Sequence, residues 1–295
     1  MIGVVGVVSL AALGFTACIS LNLSVVIIYL KDWMNGQRLS ALDQILLSTT
    51  LTSITLQLSI SFDAVLYFAR MYAVFSDFVY LCNVALFFYL LELHFWQTAL
   101  LSVYYCVKLV NVSHCFSSWL KTKMLTSPNQ LVLALDIALF LLALPLIWSI
   151  QISNLKDPTR NSSVSGYMVS LHSIYDVFSM TIGCIVPFTI TFTCIVLSVR
   201  SVISHVWRIR QNASGFSFSP QIRAHVRAST TMLLSEAVNL SLIFNVLVLF
   251  QTTVIAGTIL HFIYWFIFMV HPTIQVIVLI TGNSKLKSRL QIKCQ

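Results

Sequence analysis

Seven stretches of about twenty predominantly apolar residues dominate the chain: residues 2–30, 42–62, 81–107, 131–152, 177–199, 230–250 and 258–281. Each is long enough to cross the roughly 30 Å hydrocarbon core of a bilayer as an α-helix. Hydrocarbon offers no partner to a backbone N–H or C=O, so this pattern predicts an all-α membrane protein, a seven-transmembrane helix bundle. Composition agrees, since 58% of the 295 residues are apolar and 9% charged, with a mean hydropathy of +0.90, too few charges to solvate a globule of this size. Cytosolic enzymes, disordered tails and nucleic-acid modules are excluded. The second stretch is the weakest, because it carries eight hydroxyls from Ser48 to Ser61. Hydroxyls that bond back to a carbonyl one turn earlier suit a helix buried within a bundle.

The basic residues fix the orientation. Alternate connections lie on opposite sides of the membrane, and Lys and Arg mark the cytoplasmic one. One side takes fourteen of the 17: Lys31, Arg38, Lys108, Lys121, Lys123, Arg200, Arg208, Arg210, Arg223, Arg227, Lys285, Lys287, Arg289 and Lys293. The other keeps Arg70, Lys156 and Arg160. The N-terminus is therefore extracellular and the C-terminus cytoplasmic. The net charge of +8 follows from this topology and from contact with anionic lipid, without a nucleic-acid partner. The connection over residues 153–176 is then extracellular and holds the one plausible glycosylation site, Asn161. The first stretch has no basic n-region and no A-x-A site, and reads as a retained signal anchor with the mature chain starting at Met1. Little sequence lies beyond the spans, so residues 1–295 are expected to form a single seven-transmembrane domain.

No hydrolase, phosphate-loop or dinucleotide motif is present, and the chain reads as no enzyme, with no cofactor. The seven cysteines form no C-x-x-C pair and read as small hydrophobes, without a disulfide framework. The seven histidines lack close ligand spacing, so no metal is assigned. Three acids at membrane depth carry more information, because a charge there is expensive and faces the bundle interior. Glu92 is placed in the outer half of span three, and Trp96, one turn on, shares its face. Together they form a wall for a cationic or polar head beside an aromatic plane; the alternative is that Glu92 pairs with a neighbouring helix and Trp96 fills the bundle. Asp136 and Glu236 are expected to pair with Lys121, Lys123 or Arg227. Pro145, Pro187 and Pro272 each remove a backbone donor within a span and permit a kink.

Seven spans with compact basic inner loops suggest a G-protein-coupled receptor, yet there is no D-R-Y after span three and no N-P-x-x-Y in span seven. The motifs that are present resemble the type 2 (bitter) taste receptors along the whole chain. Asn22 stands ten residues before Asp32-Trp33. The end of span three, Tyr105-Cys106-Val107-Lys108-Leu109-Val110-Asn111-Val112-Ser113-His114 with Trp119-Leu120-Lys121 following, is similar to the family's Y-F-L-K-I-A-N-F-S-H…W-L-K. Pro187-Phe188 with His205, Pro220 with Ala224-His225-Val226, and Leu279-Ile280-Thr281-Gly282-Asn283-Ser284-Lys285-Leu286-Lys287 match the family in spans five to seven. There are departures: Thr52-Ser53 replaces the span-two Ser-Arg, Ser219 replaces an Asp, and His271-Pro272 and Gln275-Val276 stand where the family has Tyr-Pro and His-Ser.

The resemblance implies a plasma-membrane chemosensory receptor for small bitter compounds. It places the ligand in the outer half of the bundle, with Trp96 matching a ligand-contacting span-three Trp and Glu92 beside it. A gustducin-like or inhibitory heterotrimeric G protein would dock on the inner loops over residues 108–123 and 200–227, with His205, Arg208, Arg210 and His225 as coupling residues. The rival readings are a vomeronasal type 1 pheromone receptor and a small membrane transporter using Glu92, Asp136 and Glu236 as a relay.

Overall fold

The structure is a computed structural model describing residues 2–68, 75–109, 122–124, 126–156, 164–171, 173–212, 220–251 and 259–293. Asn161, His114, Trp119, Lys121 and Cys294 lie outside the described residues. Seven helices are long and apolar enough to cross a membrane. Span one is Ile2–Met34, span two Ala41–Phe68, span three Asp77–Leu109, span six Pro220–Gln251 and span seven Ile259–Gly282. Span four runs Pro128–Ala143 and resumes for one turn at Leu146–Ser149; span five joins Ser173–Ser179, a π-helical Met180–Ile185 and Val186–Asn212. A short helix, Ser284–Lys293, follows span seven.

The helices outrun the apolar windows at most ends, because polar first and last turns are tolerated where the chain meets headgroups and water. Span four is the exception, since its apolar run continues to Ile152 whereas its helix ends at Ser149. Pro145 interrupts the helix after Ala143, and Ile150 is extended. The chain then leaves as strand β1, Ile150–Lys156, paired antiparallel with β2, Val164–Leu171, a hairpin that the hydropathy pattern did not foretell. Pro272, by contrast, sits within an unbroken span seven.

Span two is the most buried of the seven and span four the least. The hydroxyls of span two behave as their spacing suggests: Thr49, Thr50 and Ser53 are buried and donate to the carbonyls of Ile45, Leu46 and Thr49 at 2.9, 3.0 and 2.9 Å. Each hydroxyl is thus satisfied inside its own helix and leaves a small side chain for close packing. Span three lies at the centre of the bundle, packed against spans two, four, five and six, and is buried at sixteen positions from Tyr80 to Cys106. Gln97, near its middle, donates to Ser48 Oγ at 2.9 Å and Thr52 Oγ1 at 3.0 Å of span two.

Two of the intramembrane acids depart from expectation. No ion pair of Asp136 or Glu236 occurs among the described residues. Glu236 lies nine residues beyond Arg227, about 13 Å along a helix, and out of reach. Asp136 faces Gln97 of span three instead. Asn22, fully buried in span one, donates to its own helix at Cys18 O (2.9 Å) and its Oδ1 has no partner. This fits the absence of a basic residue from span two.

The ion pairs gather at the inner end. Span one closes with a Schellman turn in which Gln37 N–H donates to Asp32 O and Gly36 N–H to Trp33 O, both at 3.0 Å; Gly36 supplies the positive φ of 74°. Span two opens with a reciprocal cap, Ser40 N–H to Asp43 Oδ2 and Asp43 N–H to Ser40 Oγ, each 3.2 Å. Asn283 Oδ1 accepts from the backbone N–H of Lys285 and of Leu286, starting the C-terminal helix. These three termini meet at Lys285, whose Nζ lies 2.9 Å from Asp32 Oδ2, 3.0 Å from Asp43 Oδ2 and 5.4 Å from the centre of the Tyr29 ring. Arg289 adds a 3.5 Å contact with Asp32. Burial opposes the Lys285 charge, but the hydrogen bonds and charges of Asp32 and Asp43 outweigh it and raise its pKa.

Because that pKa is raised, the stabilisation is complete below the ordinary lysine range and is lost only as pH rises through the higher folded-state value. Lys285→Met leaves two nearly buried carboxylates facing each other. A loss of about 1–3 kcal/mol is expected, moderated by the partial exposure of Lys285, read as a lower unfolding temperature of the purified chain; Lys285→Arg should recover most of it.

Candidate ligand site and coupling face

Pro187 organises the middle of span five. In the π-helical turn before it, Val186 N–H donates to Thr181 O, five residues back. The next donor in that register would serve the carbonyl of Ile182, but residue 187 is proline and has no N–H. The orphaned carbonyl is taken by span three, where Trp96 Nε1–H donates to Ile182 O at 3.1 Å. One turn earlier on span three, Glu92 Oε1 accepts a short hydrogen bond from Ser179 Oγ. Gly183 makes room for that carboxylate, since a Cβ there would come within 2.5 Å of Glu92 Cγ.

Glu92 and Trp96 therefore do share a face, as their i, i+4 spacing requires, and that face is turned to span five. Glu92 is 8% exposed and Trp96 half-buried. Glu92 stands near the midpoint of Asp77–Leu109, deeper than its place in the apolar window implied, because the helix begins four residues earlier. Both polar ends are engaged, one by a hydroxyl and one by a main-chain carbonyl. A desolvated carboxylate with one neutral donor keeps capacity for further donors, and the indole presents its ring face regardless of what its N–H does. Aromatic side chains lie close by, with Phe87 and Phe268 edge to face at 5.4 Å and Phe188 stacked on Phe192 at 6.3 Å. Ser179, Gly183 and the Ile182 carbonyl were not singled out from the sequence. The missing donor of Pro187 was the available signal, but which carbonyl it orphans depends on the π register.

At the inner side, His205, Arg208 and Arg210 fall on the last turns of span five, Val186–Asn212, with side chains outside the described residues. His225 is half-buried near the start of span six. Spans five and six pack together, so the four positions belong to one inner end of the bundle.

Comparison with known proteins adds an independent line. The family model described as taste receptor protein (TAS2R) matches residues 1–294. Taste receptor type 2 member 9 of Macaca mulatta is 27% identical over 271 residues, covering 90% of this chain and 85% of that protein. Its counterpart in Homo sapiens is 28% identical over 275 residues, covering 89% and 85%. Taste receptor type 2 member 4 of Gorilla gorilla gorilla is 28% identical over 227 residues, covering 77% and 75%.

Trp96→Phe keeps the ring but strands the Ile182 carbonyl, and is expected to cost about 1–3 kcal/mol. Gly183→Ala drives a methyl into Glu92 and should cost a similar amount. Thermal unfolding of the two variants and their double mutant checks both. Costs well below additive are expected, because each loosens the same contact between spans three and five.

Proposed function

The chain belongs to the taste receptor type 2 family, and on that premise we propose how its own residues receive and transmit the signal. It is a multi-pass chemosensory receptor for bitter compounds at the cell surface. The match over residues 1–294, laid on seven apolar helices, carries this reading. Members of this family are signalling receptors rather than enzymes, and the pheromone-receptor and transporter readings are not favoured.

The agonist, a small amphipathic molecule, engages the bundle at the face of span three that bears Glu92 and Trp96. An ammonium or hydroxyl group competes with Ser179 for the Glu92 carboxylate while an apolar body lies against the Trp96 ring. Such a ligand activates only by binding one arrangement more tightly than the other. Span five is the natural moving part: the π-helical turn and Pro187 interrupt its α-helical hydrogen bonding, and the helix beyond carries His205, Arg208 and Arg210. A shift of that inner end, with His225 on span six, opens a basic surface to a heterotrimeric G protein of the gustducin-like or inhibitory type. Asn161 serves as the glycan acceptor on the outer face, and residues 1–295 act as one domain.

Intracellular calcium is the readout, in cells carrying this chain with a promiscuous G protein, challenged with a panel of bitter compounds that includes amines. Glu92→Gln should weaken amine agonists tenfold or more, about 1.4 kcal/mol, and leave neutral agonists within threefold; equal losses for both classes would remove Glu92 as a counter-ion. Arg208→Ala combined with Arg210→Ala should lower the maximal response at unchanged surface level. A full response would take these arginines out of the coupling surface.

A further inference from the structure

Spans three and seven bring together two histidines that the receptor reading leaves without a task. His94 and His271 are 0% and 3% exposed, and their rings lie 5.3 Å apart at 78°. Each neutral imidazole has one donor and one acceptor, yet none of the four ring nitrogens has a hydrogen-bond partner among the described residues. The nearest hydroxyl on span three does not help, since Thr98 Oγ1 donates to the main-chain carbonyl of His94. Gln97 and Gln275 lie one turn further in, at i+3 from His94 and i+4 from His271, on the same helix faces. Their amide nitrogens are committed to spans two and six, and both Oε1 atoms are buried without a partner. The chain thus gathers imidazole nitrogens and amide oxygens, all neutral, at the seam between spans three and seven. A phenyl ring at either histidine would fill the space without orphaning polar atoms.

We infer that His94 and His271 form a two-imidazole site for a divalent transition-metal ion such as zinc. Zinc sits about 2.0–2.1 Å from an imidazole nitrogen, which places the ring centre roughly 3.2 Å from the ion. Two such rings at the tetrahedral angle are then about 5.2 Å apart, within a tenth of an ångström or so of the observed separation. Imidazole donors select zinc, copper and nickel over magnesium and calcium, which prefer oxygen. Among the described residues no group of three or more His, Cys, Asp or Glu side chains gathers, so the protein supplies two ligands and water or a donor atom of an agonist completes the shell. The orphaned oxygens of Gln97 and Gln275 suit the hydrogens of metal-bound water. An ion held in this way ties span three to span seven. Sequence spacing could not reveal the pair, because its members come from helices far apart in the chain.

The test is thermal unfolding of the purified full-length chain in lipid nanodiscs, titrated with zinc, magnesium, calcium or sodium ions, and it needs no agonist. The expected result is a rise of several degrees that saturates at one zinc per chain and is not produced by the other three ions. His271→Tyr installs the residue that related receptors carry before this proline, and it should fold while losing the zinc-dependent rise; His94→Asn should lose it as well. No rise with zinc in the parent chain, an equal rise with magnesium or sodium, or a zinc effect that survives in His271→Tyr would each overturn the site. X-ray absorption of the zinc-loaded parent chain decides the matter even if a variant fails to fold. Two imidazole ligands support the site, and oxygen or thiolate ligands alone refute it.

Discussion

Within a bilayer, a polar group that leaves water has to find its partner inside the chain, and most of this structure is the working out of that constraint. The backbone meets it by staying helical through seven crossings. The Ser and Thr residues of span two meet it by bonding one turn back along their own helix, which turns a polar sequence into a well-packed inner helix. Gln97 meets it by reaching from span three to Ser48 and Thr52, and Asn283 by capping the helix that follows it. Where the helix itself fails, as at Pro187, the deficit passes to a neighbour: the Trp96 indole takes the carbonyl that the proline leaves unserved. The same rule makes the exceptions informative, since a buried polar atom with no partner marks a place where the chain gives up stability for another end.

Two joints follow from this constraint and divide the molecule between them. The inner joint gathers Asp32, Asp43, Lys285 and Arg289 where the ends of three helices already expose caps. It fixes spans one and two and the C-terminal helix to one another by charge. The middle joint, Glu92 with Ser179 and Trp96 with Ile182, holds span three to span five by hydrogen bonds alone. The first is static because three charges would have to be exposed to open it. The second sits on a π-helical turn, where a small change of register alters which carbonyls are free, and so it is suited to a change of state.

The seven spans, their order and their orientation could be read directly from hydropathy and the placement of Lys and Arg. The motif Tyr105–His114 and the residues 279–287 at the end of span seven led to the family, which the comparisons bear out. The end of span four was misjudged because apolar content does not distinguish a last helical turn from a strand lying over the bundle. Asp136 and Glu236 were expected to find cations, yet helical rise and the direction of the side chains leave none in reach. Glu92 and Trp96 were correctly set on one face, but nothing in their spacing said that the face would meet Ser179 and Gly183.

By itself the sequence determined that this chain crosses a membrane seven times, with its basic loops inside, and to which family it belongs. Those properties depend on the character of contiguous residues, because burial in lipid is priced segment by segment. Only the tertiary structure decided which polar residues face one another: Lys285 with Asp32 and Asp43, Trp96 with the Ile182 carbonyl, and His94 with His271. Such pairings depend on the mutual rotation and depth of helices distant in the chain, and those are set by packing of the whole bundle rather than by any local run of residues.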